Sequence, residues 1–161
     1  MMINVPYFDG AAIALNTEVD GIAHVLDAFL TLDSTHRLTD SRHVFAYYQD
    51  YRSGADWLDA IMAVPDHAQD IWKHVTPGPV YLEQGRRDDT SWYVVMEAEC
   101  DWDVEHGLMM VWRNGTTLCK VGGYDSHLTN VNAFGDPALQ NVVYAAVERQ
   151  FVTFADKAAA D

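Results

Sequence analysis

The alternation between apolar and polar side chains is strongest in the second half of the chain. It predicts strands at Val80–Gln84 and Trp92–Cys100, separated by a polar turn. A third strand, Leu108–Arg113, meets Asn114-Gly115, a dipeptide typical of two-residue hairpin turns, and a fourth returns over Thr116–Val121. Strands joined by such short turns pair antiparallel, so the pattern predicts a meander.

A two-residue turn would fix the register of the last hairpin. Arg113 would face Thr116, and Met110 would face Cys119. Cys119 then lies opposite a methionine and not opposite Cys100. Two cysteines are also too few for the disulfide framework of a small secreted protein. We therefore expect both thiols to be reduced.

The first half of the chain begins with strand spacing and then changes to helical spacing. An early hairpin is predicted over Ile3–Leu15, with Asp9-Gly10 at its turn. The first predicted helix has an apolar stripe from Val19 to Leu30 and a capping box at Thr17–Asp20. The second is capped by Thr39 or Asp40 and ends near Gly54; a helical turn follows through Trp57, Ile61 and Met62, and another helix starts at Pro65 and stops before Pro77.

A last helix is predicted to start at Gly135-Asp136-Pro137. Its apolar stripe consists of Leu139, Val142, Val143 and Ala146.

These segments together predict an α+β fold in a single domain spanning residues 1–161. An antiparallel sheet, made of the early hairpin and the meander of the C-terminal half, would carry the helices packed on one face. The length and the 49% apolar composition suit one core. Residues 156–161 are expected to form a frayed tail.

The charge balance narrows the classes of partner. Acidic side chains number 24 and basic ones 10, for a net charge of −14. This charge repels phosphate, so we expect no nucleic-acid binding and no binding to an anionic membrane. A basic protein partner would be attracted, although acidity alone also keeps a protein soluble. Without an apolar run long enough to span a membrane or a recognisable leader, the expected location is cytoplasmic.

Candidate chemistry is concentrated in the segment Cys100–Gly107, between two predicted strands. Glu105 or Asp103 could orient the His106 imidazole for acid–base work, but no nucleophile is evident. Alternatively, the acidic side chains point to water and the histidine bonds a backbone group. The residues we single out for binding in and near this loop are Asp101, Trp102, Asp103, Glu105, His106, Asp125 and His127.

A metal site is not predicted. Cys100, His106, Cys119 and His127 could be imagined to converge, but none of them has the paired spacing of a zinc motif. A calcium loop fails as well, because its closing position holds Trp112 where a glutamate is required. We expect no cofactor.

Three segments resemble an uncharacterised bacterial domain family. They are Cys-x-Trp-x-x-Glu-His-Gly-Leu at 100–108, Gly-x-x-Leu-x-x-Val at 115–121, and an Asp-Gly-His-Leu-Thr-Asn-like loop at 125–130, where Ser126 replaces the glycine. The resemblance covers about residues 40–130. It implies a small α+β protein and names no catalytic residue.

Two hypotheses of function follow. The preferred one is a non-enzymatic acidic binding protein of the immunity or inhibitor type that binds a basic protein partner. The alternative is a small hydrolase or metal-assisted enzyme that uses Glu105 and His106 as catalytic residues. The sequence leaves the oligomeric state open.

Overall fold

Strands and helices are mixed along residues 1–156, the part of the chain that the computed structural model describes. The strands are β1 (Met2–Val5), β2 (Ala11–Ala14), β3 (Val75–Thr76), β4 (Val80–Gln84), β5 (Trp92–Cys100), β6 (Leu108–Arg113), β7 (Thr117–Gly122), β8 (Val142–Tyr144) and β9 (Thr153–Phe154). The α-helices are α1 (Ala23–Phe29), α2 (Ser34–Ser53) and α3 (Asn130–Phe134), and short 3-10 helices lie at Pro6–Phe8, Leu58–Ala60, Ala68–His74 and Pro137–Leu139. The predicted α+β fold is confirmed.

The central sheet is built around β5. β3 and β4 pair in tandem along one side of this strand, with Val75 opposite Cys100 and Val80 opposite Met96. β6 pairs along the other side, and β7 completes the sheet. Every pairing in it is antiparallel, so the predicted meander is confirmed.

The early hairpin is also confirmed. β1 pairs antiparallel with β2, and Asp9 and Gly10 have the positive φ angles that a tight reversal needs. An isolated bridge joins Leu15 to Val80, which places the hairpin beside β4.

The two faces of the central sheet differ in what covers them. On one face, Val94, Met96, Leu108 and Trp112 belong to the main core, to which α1 and α2 also contribute buried side chains. The other face holds a smaller cluster of Tyr93, Val95, Met109, Val111 and Leu128. Further along this second face, β5 leaves Glu97 and Glu99 exposed to solvent.

The predicted register of the β6–β7 hairpin is wrong. Arg113 pairs with Thr117 instead of Thr116, and Met110 pairs with Val121 instead of Cys119. The register shifts within the ladder because Leu118 and Val121 are both buried in the main core although they are three positions apart. A regular strand alternates with a period of two, so an extra residue, a β-bulge, is needed to bring both to one face.

Three predicted helix starts are wrong. Asp33, not Thr39 or Asp40, caps α2, because its carboxylate accepts hydrogen bonds from the amides of Thr35 and His36. The predicted capping box at Thr17–Asp20 is absent, and α1 begins only at Ala23. The Thr17 hydroxyl instead accepts a hydrogen bond from the Leu82 amide at 3.0 Å. The helical segment predicted from Pro65 begins at Ala68 and is a 3-10 helix.

The long C-terminal helix is the largest error of the sequence prediction. Asp136 does cap a turn, but the turn ends at Leu139, and the following residues form β8, which pairs with β9. The buried Asn130 amide donates hydrogen bonds to the carbonyls of Val142 and Val143, at 2.9 and 2.8 Å. These bonds satisfy the two carbonyls without a helix. Val142 and Val143 are β-branched residues, which favour the extended conformation of a strand.

The end of the described chain is held by an ion pair. Arg42 donates to the Asp156 carboxylate at 2.5 Å, and the rest of the predicted frayed tail, residues 157–161, lies outside the described residues. Within the described part, none of the helices combines the length and apolarity required to cross a membrane.

Candidate functional site

Trp102 anchors the loop between β5 and β6 to helix α2. This side chain is fully buried and packs edge-on against the rings of Tyr47 and Tyr48 in α2, with centroid distances of 5.5 and 5.9 Å. The side chain predicted to bind a partner is therefore held in the core and offers no exposed surface in the described structure. An indole in a loop is buried here because the wide surface of an aromatic ring gains most from leaving water.

Asp103 lies inside the same loop and is only 5% exposed. Its carboxylate accepts a hydrogen bond from the Tyr47 hydroxyl at 2.8 Å and another from the His106 amide at 3.1 Å. Nδ1 of His106 lies 3.1 Å from Oδ2 of the same carboxylate. A buried carboxylate requires such partners, so Asp103 organises the loop and is not free to meet a protein partner.

His106 is therefore oriented by Asp103 and not by Glu105. With Nδ1 directed at the carboxylate and 58% of the side chain exposed, the imidazole projects from the loop. Its backbone carbonyl accepts a hydrogen bond from the Tyr124 amide at 3.2 Å, which ties the loop to the segment after β7. Glu105 is exposed, and no hydrogen bond joins it to His106 in the structure of residues 1–156.

A groove of about 520 Å³ lies between this loop and the exposed end of β5. We call it the acidic groove, because Glu97, Glu99 and Glu105 are among its lining residues, beside His106. Within the described part of the chain, neither a lysine nor an arginine contributes to this lining. The sequence placed Glu105 and His106 in one loop but could not show that Glu97 and Glu99 of β5 share a groove with them.

The far wall and the rim of the acidic groove were missed by the sequence analysis. Pro77, Gly78 and Pro79 form the wall where the chain crosses from β3 to β4. A Cβ atom on Gly78 would lie 1.8 Å from the Glu97 carbonyl oxygen, so only glycine permits this close approach. Val104 and Tyr124 are exposed at the rim. The Pro-Gly-Pro sequence indicates a tight connection between two segments, but it does not show that this connection lies beside the β5–β6 loop.

Asp101 lies outside the acidic groove. Its exposed carboxylate lies 2.9 Å from Nδ1 of His74, in the 3-10 helix that precedes β3. The predicted binding residue therefore contacts a side chain of its own molecule.

Asp125 and His127 belong to a different arrangement, on the second face of the sheet. Nζ of Lys120 donates to the Asp125 carboxylate and, at 3.0 Å, to the His127 carbonyl. The Lys120 side chain is only 3% exposed. Burial lowers the pKa of this amine, and the Asp125 carboxylate partly opposes the shift. In the sequence, the signal that could have revealed this buried pair is Lys120 itself, a single lysine between the apolar residues of a predicted strand.

The structure does not bring together the side chains imagined as metal ligands. Cys100 packs in the main core, whereas Cys119 packs against the cluster on the opposite face. Over residues 1–156, no group of three or more His, Cys, Asp or Glu side chains could hold a metal ion. Both thiols are free, and burial raises their pKa values, to about 12 for Cys100 and about 11 for Cys119, which disfavours the thiolate.

The fold and its loops thus define an α+β domain with one acidic groove and one buried lysine–aspartate pair. A family model described as a domain of unknown function, DUF6985, matches residues 2–128, which include all of the acidic groove. The chain belongs to this family. A search of curated proteins and a search of solved structures each found no match.

Proposed function

We propose that this protein is a non-enzymatic binding protein whose acidic groove receives a basic segment of a partner protein. The observation that carries the proposal is the convergence of Glu97, Glu99 and Glu105 on one groove without a neutralising lysine or arginine among its described lining residues. Like charges so arranged repel one another, and a cationic side chain of a partner would relieve the repulsion.

The rim of the acidic groove suits the same occupant. Val104 is 86% exposed and Tyr124 is 40% exposed, so both present apolar surface beside the carboxylates. Lysine and arginine carry a charge at the end of an apolar stem, and such a stem can lie along apolar surface while the charge reaches a carboxylate. An arginine could also stack on the tyrosine ring.

The partner that we propose is a basic protein neutralised by an immunity or inhibitor protein in the bacterial cytoplasm. The net charge of −14 supports this class, because a field of one sign raises the encounter rate with a basic surface and lowers it with nucleic acid or an anionic membrane. In the groove, this field acts at short range, where screening by salt is weakest.

The test is a capture experiment with two matched triple variants. One carries Glu97→Gln, Glu99→Gln and Glu105→Gln in the acidic groove. The control carries Asp20→Asn, Asp27→Asn and Glu148→Gln, which remove the same charge from acidic residues outside the groove lining. Capture from cytosol of the source bacterium should yield a basic partner with the wild type and the control, and should lose it with the groove variant.

Binding kinetics across a salt series then test the physical mechanism. Raising the ionic strength should slow association more than it speeds dissociation, because the Debye length falls to about 8 Å near 0.15 M and distant carboxylates stop contributing. An acidic or neutral partner that associates at a salt-independent rate, or one that both triple variants lose equally, would reject the proposal.

The alternative function, a small hydrolase or metal-assisted enzyme, is favoured by one specific observation. The Asp103 carboxylate orients the exposed imidazole of His106 at the edge of the acidic groove, which is how a general base is commonly held. Glu105 would be the second acidic group within reach of a substrate. A panel of ester, amide and phosphoester substrates tests this alternative, which requires that His106→Ala abolish turnover while the fold is retained.

A further inference from the structure

A second cleft has the opposite electrostatic character. Two cavities of about 410 and 280 Å³ adjoin each other between the turn after β4 and the segment that contains α3. They share Arg86, Val131, Asn132 and Pro137 as lining residues. Arg87 and His127 line the first cavity, and Arg113 lines the second. We call this pair of cavities the arginine cleft.

The arginines of the chain divide into two groups. Four of the seven form ion pairs with a carboxylate outside this cleft: Arg37 with Asp9, Arg42 with Asp156, Arg52 with Asp59, and Arg149 with Asp136. The other three line the arginine cleft.

The cleft arginines are poorly neutralised by the protein itself. Arg86 contacts Glu83 only at 3.3 Å, and Arg87 and Arg113 have no ion pair with any residue of the described chain. The chain has 24 acidic side chains, and the arginines outside the cleft each pair with one of them. Two arginines without an ion pair in one cleft therefore differ from the others. Arg113 keeps one nitrogen on the Tyr93 hydroxyl at 3.2 Å, which positions its guanidinium group.

From this arrangement we infer that the arginine cleft is a binding site for a small ligand that carries a phosphate group. A guanidinium group presents its N–H donors in a fork that matches the oxygens of a phosphate. Two or three such groups compensate a dianion better than a singly charged carboxylate. The Asn132 amide and the His127 ring add donors, and Leu128 and Val131 supply apolar surface for the remainder of a ligand.

The acidic surface of the protein limits what can enter. The summed field of −14 opposes a long polyanion over its whole length, whereas a small ligand that reaches the cleft is close to the arginines and largely screened from distant carboxylates. Asp89, the acidic residue of the second cavity, accepts hydrogen bonds from the Tyr93 hydroxyl and the Ser91 amide but keeps its negative charge, so a phosphate group would contact mainly Arg86 and Arg87 of the first cavity. The site therefore selects small phosphate compounds and not nucleic acids.

The experiment uses the full chain and inorganic phosphate as the probe, with acetate and chloride at matched ionic strength as comparison anions. Amide chemical shifts recorded during the titration should change saturably at residues 86–87 and 127–132. The double variant Arg86→Gln with Arg87→Gln should weaken phosphate binding at least tenfold. A matched double variant, Arg42→Gln with Arg52→Gln, removes the same charge from exposed ion pairs and should change the affinity less than twofold.

Several results would overturn the inference. The first is binding that does not saturate by about 50 mM phosphate, a concentration far above that expected for millimolar affinity. The second is acetate binding as strong as phosphate binding. The third is an equal loss of phosphate affinity in the two double variants. The groove variant Glu97→Gln, Glu99→Gln and Glu105→Gln should bind phosphate like the wild type, so a failure of this site is distinct from a failure of the proposed partner groove.

Discussion

The Tyr47 hydroxyl donates a hydrogen bond to the Asp103 carboxylate at 2.8 Å, joining α2 to the β5–β6 loop across 56 positions of sequence. The same hydroxyl lies 3.0 Å from the Gly107 carbonyl, at the other end of the loop. One side chain of the helix therefore holds both ends of the loop that forms one side of the acidic groove.

Removing this hydroxyl should destabilise the protein. Tyr47→Phe leaves the buried Asp103 carboxylate without one of its donors, and we expect a loss of about 1–3 kcal/mol in the free energy of unfolding. Tyr48→Phe is the matched control, because the buried Tyr48 hydroxyl has no hydrogen-bond partner in the described structure. The Tyr48→Phe variant should have a free energy of unfolding, measured by urea denaturation, equal to or slightly above that of the wild type. Equal losses in the two variants would show that the Tyr47–Asp103 bond does not hold the loop.

The three polar residues of the β5–β6 loop should differ in their effect on stability. Asp103→Asn removes the buried charge that the Tyr47 hydroxyl and two groups of His106, its amide and its ring, contact, and we expect a loss of about 2–4 kcal/mol in the free energy of unfolding. His106→Ala removes one partly exposed partner and should cost about 1 kcal/mol. Glu105→Gln should lie within about 0.5 kcal/mol of the wild type. Thermal and chemical unfolding at pH 7 measure this order, and a loss for Glu105→Gln as large as that for Asp103→Asn would contradict it.

The Lys120–Asp125 pair should respond asymmetrically to substitution. Asp125→Asn keeps the acceptor oxygen but leaves the charge of a side chain only 3% exposed without compensation, so we expect a loss of about 3 kcal/mol or more. Lys120→Met removes that buried charge and leaves Asp125, which is 40% exposed, to be solvated. Its loss should be clearly smaller. Denaturant unfolding of the two variants decides the matter, and a more stable Asp125→Asn variant would refute the asymmetry.

Two neighbouring residues of α2 should give opposite pH dependences. Burial raises the pKa of Asp40 from 3.8 to about 6, so the folded state holds a proton that the unfolded state releases, and stability falls as pH rises from 3.8 to 6. Burial lowers the pKa of His43 from 6.5 to about 4, so the unfolded state gains a proton first, and stability falls as pH drops from 6.5 to 4. Each effect amounts to about 3 kcal/mol at most.

In the wild type these two slopes largely cancel, and single variants should separate them. Asp40→Asn should lose stability more steeply than the wild type on acidification from pH 6.5 to 4.5. His43→Gln should gain stability relative to the wild type over the same interval. The measurement is the unfolding free energy at several pH values. Curves parallel to that of the wild type for both variants would show that neither group is perturbed.

Local pattern was sufficient to predict strands β4 to β7 of the central sheet, but neither β3 nor the β6–β7 register. Alternating residues place strands at Val80–Gln84 and Trp92–Cys100 with the observed bounds, because a half-buried strand imposes a period of two on its own sequence. The C-terminal helix failed for the complementary reason. The apolar spacing of Leu139, Val142 and Val143 is compatible with a helix, but Asn130, a dozen residues earlier, binds the carbonyls that a helix would use.

For the candidate site, the sequence by itself determined which residue types are present in the loop and the overall acidity. Only the tertiary structure decided which of them are available. Trp102 and Asp103 are buried because Tyr47 and Tyr48 of α2 lie beneath them, and Asp125 is paired because Lys120 is buried on a strand. Burial and pairing depend on neighbours that are distant along the chain. A local pattern cannot specify those neighbours, so Glu97, Glu99 and Glu105 could be recognised as one groove only in the folded chain.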